Sequence, residues 1–430
     1  MNSTGSDNTT TGYRALYLNT FGSDNTASGW YALYNNNIGI HNTSIGSGSL
    51  YNNTTGNYNT ASGLGALYNN TTGGYNTASG YQALFANKAN NRSVAIGPGA
   101  MYNADDRTSG RETFNTAIGY EALKGGYTAS NNTGQNNTAL GDQTLFSNTT
   151  GNENSATGAW ALKNNTSGSY NTANGRSALQ SNTTGYNNTA NGASALQNNT
   201  TGISNTGIGM NALAANISGN SNTAIGKFAM ISNSTGFYNT ASGESAMVAN
   251  TTGSNNLAEG YNALYMNTDG TNNTALGYQS LHSNTTANGN TATGYQSLYV
   301  NNTGTMNTAN GYQALLGNTT GTNNTALGHY AGSYNSTGSF NTNIGDNAYP
   351  TIYGLNNWTG LGYNVGSAGS ISNSVEIGNY FVTRIQGQVA FTTYSDGRIK
   401  DNVAANVPGL DFILKLRPVT YNLKSTVRMN

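Results

Sequence analysis

Large aliphatic side chains return at a fixed interval along this chain. Leucine or methionine occupies the same place in eighteen successive segments, most of them seventeen residues long. Leu16, Leu33, Leu281 and Leu298 are examples. An interval of this length is typical of a solenoid, in which each repeat forms one coil and the apolar residues of adjacent coils pack together. The pattern therefore predicts an ordered, elongated repeat fold, although low charge and abundant Asn, Thr and Gly could also describe a disordered chain.

Two further kinds of residue recur at this interval. We call the set of equivalent residues in successive repeats a column. If each repeat is numbered from the residue equivalent to Asn25, twenty repeats begin between Asn8 and Asn341, and two of the steps between them are five residues longer. Position five is glycine in all twenty repeats, and position twelve is nearly always asparagine. The structural columns include Gly12, Gly29, Gly260 and Gly277 at position five, and Asn19, Asn36 and Asn301 at position twelve.

The remaining positions predict the path of one coil. Position two is usually β-branched threonine, which favours a strand. We expect a short strand, a glycine bend, a second short strand around the aliphatic residue, and a Thr-Thr-Gly turn whose glycine supplies a positive φ. The asparagine column suits this turn and can form a hydrogen-bonded ladder along the stack. The predicted fold class is all-β: a parallel β-solenoid, or β-roll, of about twenty seventeen-residue coils, with a short α-containing C-terminal segment.

Apolar burial per coil is small, because each coil offers one large aliphatic residue and the small residues at positions three and eight. Ordering seventeen residues per coil carries a large entropic cost. A second interface would help to offset it, and we expect that interface at the small-residue columns. The sequence therefore predicts a homo-oligomer, with a trimer as the expected state.

Position six varies freely, which indicates a side chain that faces solvent. Several of its residues are aromatic and are candidate surface contacts: Tyr13, Trp30, Tyr261, Tyr278, Tyr295 and Tyr312. A row of weak contacts can bind a repetitive ligand tightly through multivalency. Cell-surface glycans are therefore the expected external partners.

Charge and composition argue against several other classes. Sixteen basic residues balance sixteen acidic ones and only 7% of the residues are charged, so binding to nucleic acid is not expected. No apolar run approaches the ~18 residues needed to span a bilayer, so membrane insertion is not expected either. Cysteine is absent, and His41, His282 and His329 lie at different repeat positions, so no metal or cofactor is expected. The one dense charged segment, 105–112, is interpreted as a solvated surface loop.

Two phrases of the chain resemble a known repeat. Residues 93–100, Ser-Val-Ala-Ile-Gly-Pro-Gly-Ala, and 115–119, Asn-Thr-Ala-Ile-Gly, are similar to the head repeat of trimeric autotransporter adhesins. That resemblance implies a left-handed parallel β-roll built from three chains. The Gly-Tyr-Gln-Ala-Leu and Asn-Thr-Thr-Gly phrases resemble repetitive fibre proteins of Bacteroidota and phage tail fibres, and this likeness covers residues 8 to about 362.

The C-terminal part resembles a different module. Residues 394–403 and 414–421 look like the opening of the intramolecular chaperone domain that ends endosialidases and other phage tail spikes. The resemblance implies a Ser395 nucleophile, a Lys400 base and self-cleavage between Ser395 and Asp396. Without it, Ser395 is a plausible helix N-cap and Lys400 a solvated charge, and both interpretations remain open.

These observations predict three domains and a function. The domains are a repeat shaft over 1–362, a capping rung and neck over 363–394, and the start of a chaperone-like domain over 395–430. The expected function is a structural extracellular fibre or adhesin shaft, on a cell surface, a virion or an injection particle. No enzymatic activity is expected, apart from the self-cleavage. An ice- or surface-binding solenoid is the alternative; a glycan-degrading tail spike is weaker because Asp142 and Glu244 lie six rungs, roughly 30 Å, apart.

Overall fold

A single ladder of short parallel strands runs through the structure. The structure is a computed structural model, and it describes residues 4–366 and 369–385. Its β-strands are Thr9–Thr11 (β1), Thr26–Ser28 (β2), Thr43–Ile45 (β3), Thr60–Ser62 (β4), Thr77–Ser79 (β5), Val94–Ile96 (β6), Thr116–Ile118 (β7), Thr138–Leu140 (β8), Ser155–Thr157 (β9), Thr172–Asn174 (β10), Thr189–Asn191 (β11), Thr206–Ile208 (β12), Thr223–Ile225 (β13), Thr240–Ser242 (β14), Leu257–Glu259 (β15), Thr274–Leu276 (β16), Thr291–Thr293 (β17), Thr308–Asn310 (β18), Thr325–Leu327 (β19), Thr342–Ile344 (β20), Thr359–Leu361 (β21) and Val375–Ile377 (β22).

Each strand pairs in parallel with the next strand along the chain. The register is the repeat itself, so Thr172 lies beside Thr189 and Thr189 beside Thr206. With twenty-two strands at about 4.8 Å per rung, the ladder is roughly 100 Å long. The parallel β-solenoid predicted from the sequence is confirmed, and it has two strands more than the twenty predicted repeats, β21 and β22. The only helical element among the described residues is a 3-10 turn at Ala129–Asn131.

The core lies inside the coils and is built from positions three, eight and nine. Ala173, Ala178 and Leu179 of one coil have at most 1% of their surface exposed, and their equivalents repeat along the stack. The small-residue columns therefore face inward and pack under the leucines. The expectation that these columns form an interface between chains is wrong, because their side chains are already buried within one chain.

The segment around each leucine is a chain of turns, and the predicted second strand does not form. Leu33 has φ +48° and Tyr31, at position seven, has φ +55°, both in the left-handed region. These residues direct their N–H groups along the stack in opposite senses: Leu33 N–H donates to Ser49 O in the next coil at 2.9 Å, and Tyr31 N–H to Tyr13 O in the previous coil at 2.9 Å. A left-handed residue costs about 1 kcal/mol, which these hydrogen bonds and the leucine burial offset.

Glycine predominates in two columns for different reasons. At position five, Gly192 has φ +141°, and a Cβ there would lie 2.6 Å from the carbonyl oxygen of Gly209 in the next coil. At position fifteen, Gly185 has no positive φ, but a Cβ would lie 2.5 Å from the carbonyl oxygen of Gly202. The prediction that the Thr-Thr-Gly glycine supplies a positive φ is therefore wrong. Glycine is favoured here because adjacent coils and the asparagine ladder leave little space for a side chain, although Asn90 and Ala287 occupy the same position in two coils.

The asparagine column forms the predicted ladder in the interior. Asn199 donates from Nδ2 to Asn182 Oδ1 at 2.9 Å and to Gly202 O at 3.0 Å. Gly202 O also accepts from Nδ2 of Asn188, a position-one asparagine of the same coil, at 2.8 Å. Two buried asparagine columns thus meet at one carbonyl in every regular coil. A buried amide is tolerated because its hydrogen-bonding groups find partners along the stack.

The C-terminal coils have a separate small core. Trp358 replaces the position-one asparagine, is fully buried, and packs with Ala348 and Val365. Its Nε1 donates to Glu376 Oε1 at 3.0 Å. The leucine column has ended by this point, since Gly332 occupies position nine of the coil that follows Leu315. The tryptophan supplies a large apolar side chain in coils that lack the leucine column.

The chain divides into two units, the first ending at Phe381 and the second beginning at Val382. The second unit lies almost wholly outside the described residues. The predicted α-containing segment and the proposed self-cleavage pair, Ser395 and Lys400, fall there as well.

Candidate functional site

Four of the candidate surface tyrosines form one continuous stack. Tyr261, Tyr278, Tyr295 and Tyr312 are 41–44% exposed. Successive ring centroids are 5.4, 5.2 and 5.0 Å apart, with interplanar angles of at most 16°. His329 extends the stack, 5.3 Å from Tyr312. The prediction that position six faces solvent is confirmed for these residues, and the register of the ladder is what aligns them.

The other two candidates lie at the opposite end of the ladder. Tyr13 and Trp30 are each 58% exposed, and both contact Tyr31 edge-on, with ring centroids 5.7 and 4.5 Å from it. Trp30 and Tyr261 are thirteen repeats apart, which is about 60 Å along the stack. The structure therefore separates the six candidates into two surfaces.

A second aromatic row, at position ten, was not predicted. It is a stack of six rings with centroids 5.0–5.6 Å apart and interplanar angles of at most 17°. The six are Tyr17, Tyr34, Tyr51, Tyr68, Phe85 and Tyr102. Partial burial raises the pKa of Tyr51, and the neighbouring Tyr68 and Tyr34 raise it further, so its hydroxyl keeps its proton. The sequence does carry a signal for this row, because six successive repeats hold an aromatic residue one place after the large aliphatic column.

Beside the position-six tyrosine stack lies a ladder of glutamines. Gln296 donates from Nε2 to Gln279 Oε1 at 2.9 Å, and Gln313 to Gln296 Oε1 at 2.7 Å. These residues occupy position seven. The position-six stack beside them thus borders a row of polar amides, and together they form a surface of aromatic rings and hydrogen-bonding groups.

The same place in the N-terminal half is open, because position seven is glycine at Gly48 and Gly65. Trp30 and Leu64 of position six stand on one side of the gap, and the position-ten rings stand on the other. We call this feature the N-terminal groove. It has a volume of about 490 Å³.

Most of the charged segment 105–112 is exposed or half-buried, in agreement with its interpretation as a surface loop, but Asp105 is buried. Only 1% of the Asp105 side chain is exposed, and it accepts hydrogen bonds from Arg107 and Arg111 at 2.6–3.1 Å. Burial alone would raise the pKa of Asp105, but the hydrogen bonds and charges of the two arginines outweigh it and lower the pKa. Ala104 and Gly126 interrupt the position-twelve asparagine column in these longer coils, and the ion pairs help to hold the chain there.

The histidines and isolated acids are dispersed. His329 Nδ1 lies 2.9 Å from Asp346 Oδ1, and Lys227 pairs with Glu244 at 3.7 Å. Burial lowers the pKa of His282, which stacks between Tyr265 and Tyr299. Within residues 4–366 and 369–385, no group of three or more His, Cys, Asp or Glu side chains is arranged to hold a metal ion.

The parallel ladder, the inward leucines and the outward rows define the class of this molecule: it is a β-solenoid repeat protein. No protein-family model matches the chain, and no curated protein is significantly similar to it. In the part of the chain that the structure describes, no helix has the length and apolar character needed to cross a bilayer.

Proposed function

We propose that this protein is the structural shaft of an extracellular fibre or adhesin, which attaches to cell-surface glycans through its aromatic rows. The observation that carries the proposal is the stack of four exposed tyrosines on consecutive coils, next to the glutamine ladder. Ring edges, phenol hydroxyls and amides in a row offer apolar contacts and hydrogen bonds to a sugar, and repetition supplies avidity. The stacked coils of the solenoid give the fibre its length.

Attachment through the tyrosine stack is tested by removing two of its central rings. We expect the variant Tyr278→Ala/Tyr295→Ala to bind glycan-bearing cells at least about tenfold more weakly than the native chain, because the lost contacts are multiplied along the row. Tyr170→Ala is the matched control, since Tyr170 is 57% exposed and lies outside the stack. Flow cytometry with labelled protein measures the binding. Equal binding by the native chain and the double variant would contradict the proposal.

Self-association, with three chains as the proposed state, is supported by an exposed aliphatic row on the strand face. Leu327, Leu361 and Ile377 of position four are 44–49% exposed, and Ile344 lies between them in register. Four such residues on consecutive coils form an apolar strip that a second copy of the same strip would cover.

The strip gives a specific test of assembly. We expect Leu361→Asn to shift the protein from trimer towards monomer in size-exclusion chromatography with light scattering, because it places an amide within the covered strip. Asparagine occupies the same place in β10, β11 and β18, so the coil accepts it. Ile208→Asn, on the same face but far from the strip, is the control. A native chain that is monomeric at micromolar concentration would overturn the assembly proposal.

A surface-binding solenoid is the second candidate, supported by threonines aligned at position two. Thr172, Thr189, Thr206, Thr223 and Thr240 lie in direct register on the strand face. The adjacent position-four column mixes Asn, Ile and Ser, which breaks the regular array that an ice lattice would match. Thermal hysteresis above that of buffer would favour this candidate over the fibre.

A further inference from the structure

The N-terminal groove exists because two coils lack a side chain that their neighbours have. Gly48 and Gly65 have φ +62° and +66°. The same position carries Tyr31 at φ +55° and Gln82 at φ +53°, so the backbone there accepts ordinary residues. In the C-terminal half the equivalent space is filled by the glutamine ladder. The two glycines therefore serve to leave space, and the conformation of the coil does not depend on them.

The open space lies directly against the aromatic row. A Cβ on Gly48 would lie 3.3 Å from the Tyr68 ring, and a longer side chain would cover it. Tyr31 closes one end of the groove, with its ring 5.0 Å from Tyr34. Gln82 stands at the other end. The groove thus runs along the stack for about four coils, and similar groups recur in it at each rung.

The lining is uncharged where a ligand would lie. Its groups are aromatic rings, phenol hydroxyls, the Ser47 hydroxyl and the indole of Trp30, which is 58% exposed. Arg14 is the only charged residue of the lining. It is held at the end of the groove by a 3.2 Å hydrogen bond to the Tyr31 hydroxyl, and its guanidinium lies 5.2 Å from the centroid of the Tyr13 ring. A ligand with apolar faces and hydroxyl groups but no formal charge matches this surface.

An extended peptide fits less well, because the backbone of the groove has no free row of hydrogen-bonding groups. Gly48 N–H already donates to Trp30 O at 2.8 Å, and Gly65 N–H to Ser47 O at 3.0 Å. Addition of a peptide strand depends on such unpaired backbone groups. Recognition must therefore come from the side chains, which repeat at the rung spacing of about 4.8 Å. An extended β-linked glycan advances by a closely similar distance per sugar.

We propose that the N-terminal groove is a binding site for an uncharged, extended oligosaccharide that lies along the stack of coils. The inference rests on the proposed attachment to glycans and narrows it to one ligand chemistry and one place. The position-ten rings and Trp30 contact the sugar faces and edges, while Ser47 and the tyrosine hydroxyls bond the sugar hydroxyls. Because Gly48 and Gly65 have no side chains, the sugar chain can approach the rings.

The test fills the groove with the side chain that other coils carry. Isothermal titration calorimetry of cellohexaose and chitohexaose compares the full native chain with Gly48→Gln/Gly65→Gln. We expect at least one of these neutral sugars to bind the native chain and to bind the double variant at least about tenfold more weakly. Ser245→Gln, a position-seven change in a coil without aromatic rows, should bind like the native chain. Circular dichroism establishes that each variant is folded.

A second measurement does not depend on the variants. In a chain carrying Trp160→Phe, Trp30 is the exposed tryptophan, because Trp358 is buried. Neutral hexasaccharide should protect Trp30 fluorescence from quenching by acrylamide. Hexagalacturonate, which is acidic, should neither protect it nor bind.

The outcomes separate this inference from the proposed function. Equal affinity of the native and groove-filled chains, or binding of hexagalacturonate alone, overturns the groove site. If neutral sugars fail to bind the native chain while cell attachment still depends on Tyr278 and Tyr295, the groove inference falls and the fibre proposal stands. If neutral sugars bind the groove while the cell assay shows no dependence on those tyrosines, the tyrosine-stack attachment falls and the groove site stands.

Discussion

Alanine in place of Gly192 is expected to destabilise the protein by about 4 kcal/mol or more. The added Cβ would meet the carbonyl oxygen of Gly209 at 2.6 Å and its carbonyl carbon at 2.7 Å, both in the next coil. The backbone φ of +141° is also one that alanine adopts only under strain. Relief requires adjacent coils to separate, which would break the hydrogen bonds on every side of that rung. The effect should therefore exceed that of an ordinary glycine-to-alanine change.

Guanidinium denaturation followed by circular dichroism measures the loss, and hydrogen exchange locates it. Gly65→Ala is the matched control. Its φ is also positive, +66°, but the nearest atom to a new Cβ is Gln82 Cγ at 3.4 Å. We expect it to cost about 1 kcal/mol. Protection should fall in the coils around Gly192 before it falls elsewhere, since coils interact only with their neighbours. Equal losses from the two substitutions would show that the stacking of position-five glycines is not the constraint.

Aspartate in place of Asn199 is expected to cost about 3 kcal/mol at neutral pH. Asn199 donates to Asn182 Oδ1 and to Gly202 O, and it accepts from Asn216 Nδ2 at 2.7 Å. A carboxylate keeps the acceptor but places negative charge against two oxygen atoms in the interior. Asn198→Asp changes the adjacent residue, which is exposed, and should have little effect.

The pH dependence distinguishes this mechanism from a packing defect. Burial and the facing oxygens should raise the folded-state pKa of the new carboxyl above its unfolded value of about 3.9. A protonated carboxyl also regains one donor. The stability deficit of Asn199→Asp should therefore be small near pH 4 and grow as pH rises through the folded-state pKa. Urea denaturation from pH 4 to pH 8 tests this, and a deficit that is independent of pH would contradict it.

The sequence predicts which side chains lie inside the coil better than it predicts the backbone conformation of the coil. The leucine column and the asparagine ladder follow from residue type at a fixed interval, because stacked coils bring like residues together. The left-handed φ of Leu33 could not be predicted in this way, since leucine rarely adopts it in isolation. It is stable here because hydrogen bonds to the next coil and full burial act together. The role of the position-fifteen glycines was mispredicted for a related reason. A glycine in a turn usually indicates a positive φ, whereas here it indicates that adjacent coils approach closely.

The candidate surface was predicted in part. Exposure of Tyr261 and Tyr278 follows from the variability of position six, but their grouping with Gln279 depends on how the coil turns after position five. The N-terminal groove was missed because its signal is two small residues, Gly48 and Gly65, at a position that is otherwise variable. The missing side chains at these two positions indicate a groove only when the positions of the surrounding side chains are known.

The direction of the interstrand hydrogen bonds has a mechanical consequence. Each coil is bonded to the next along the axis of the stack, as from Thr189 N–H to Asn205 O at 2.8 Å. Tension applied to a chain end therefore loads one terminal coil at a time, and each coil that peels away releases seventeen residues, up to about 60 Å of extended chain. Tension applied sideways, through ligands held on many coils, is shared among them. A solenoid of this construction would yield gradually at its ends and resist detachment along its flank.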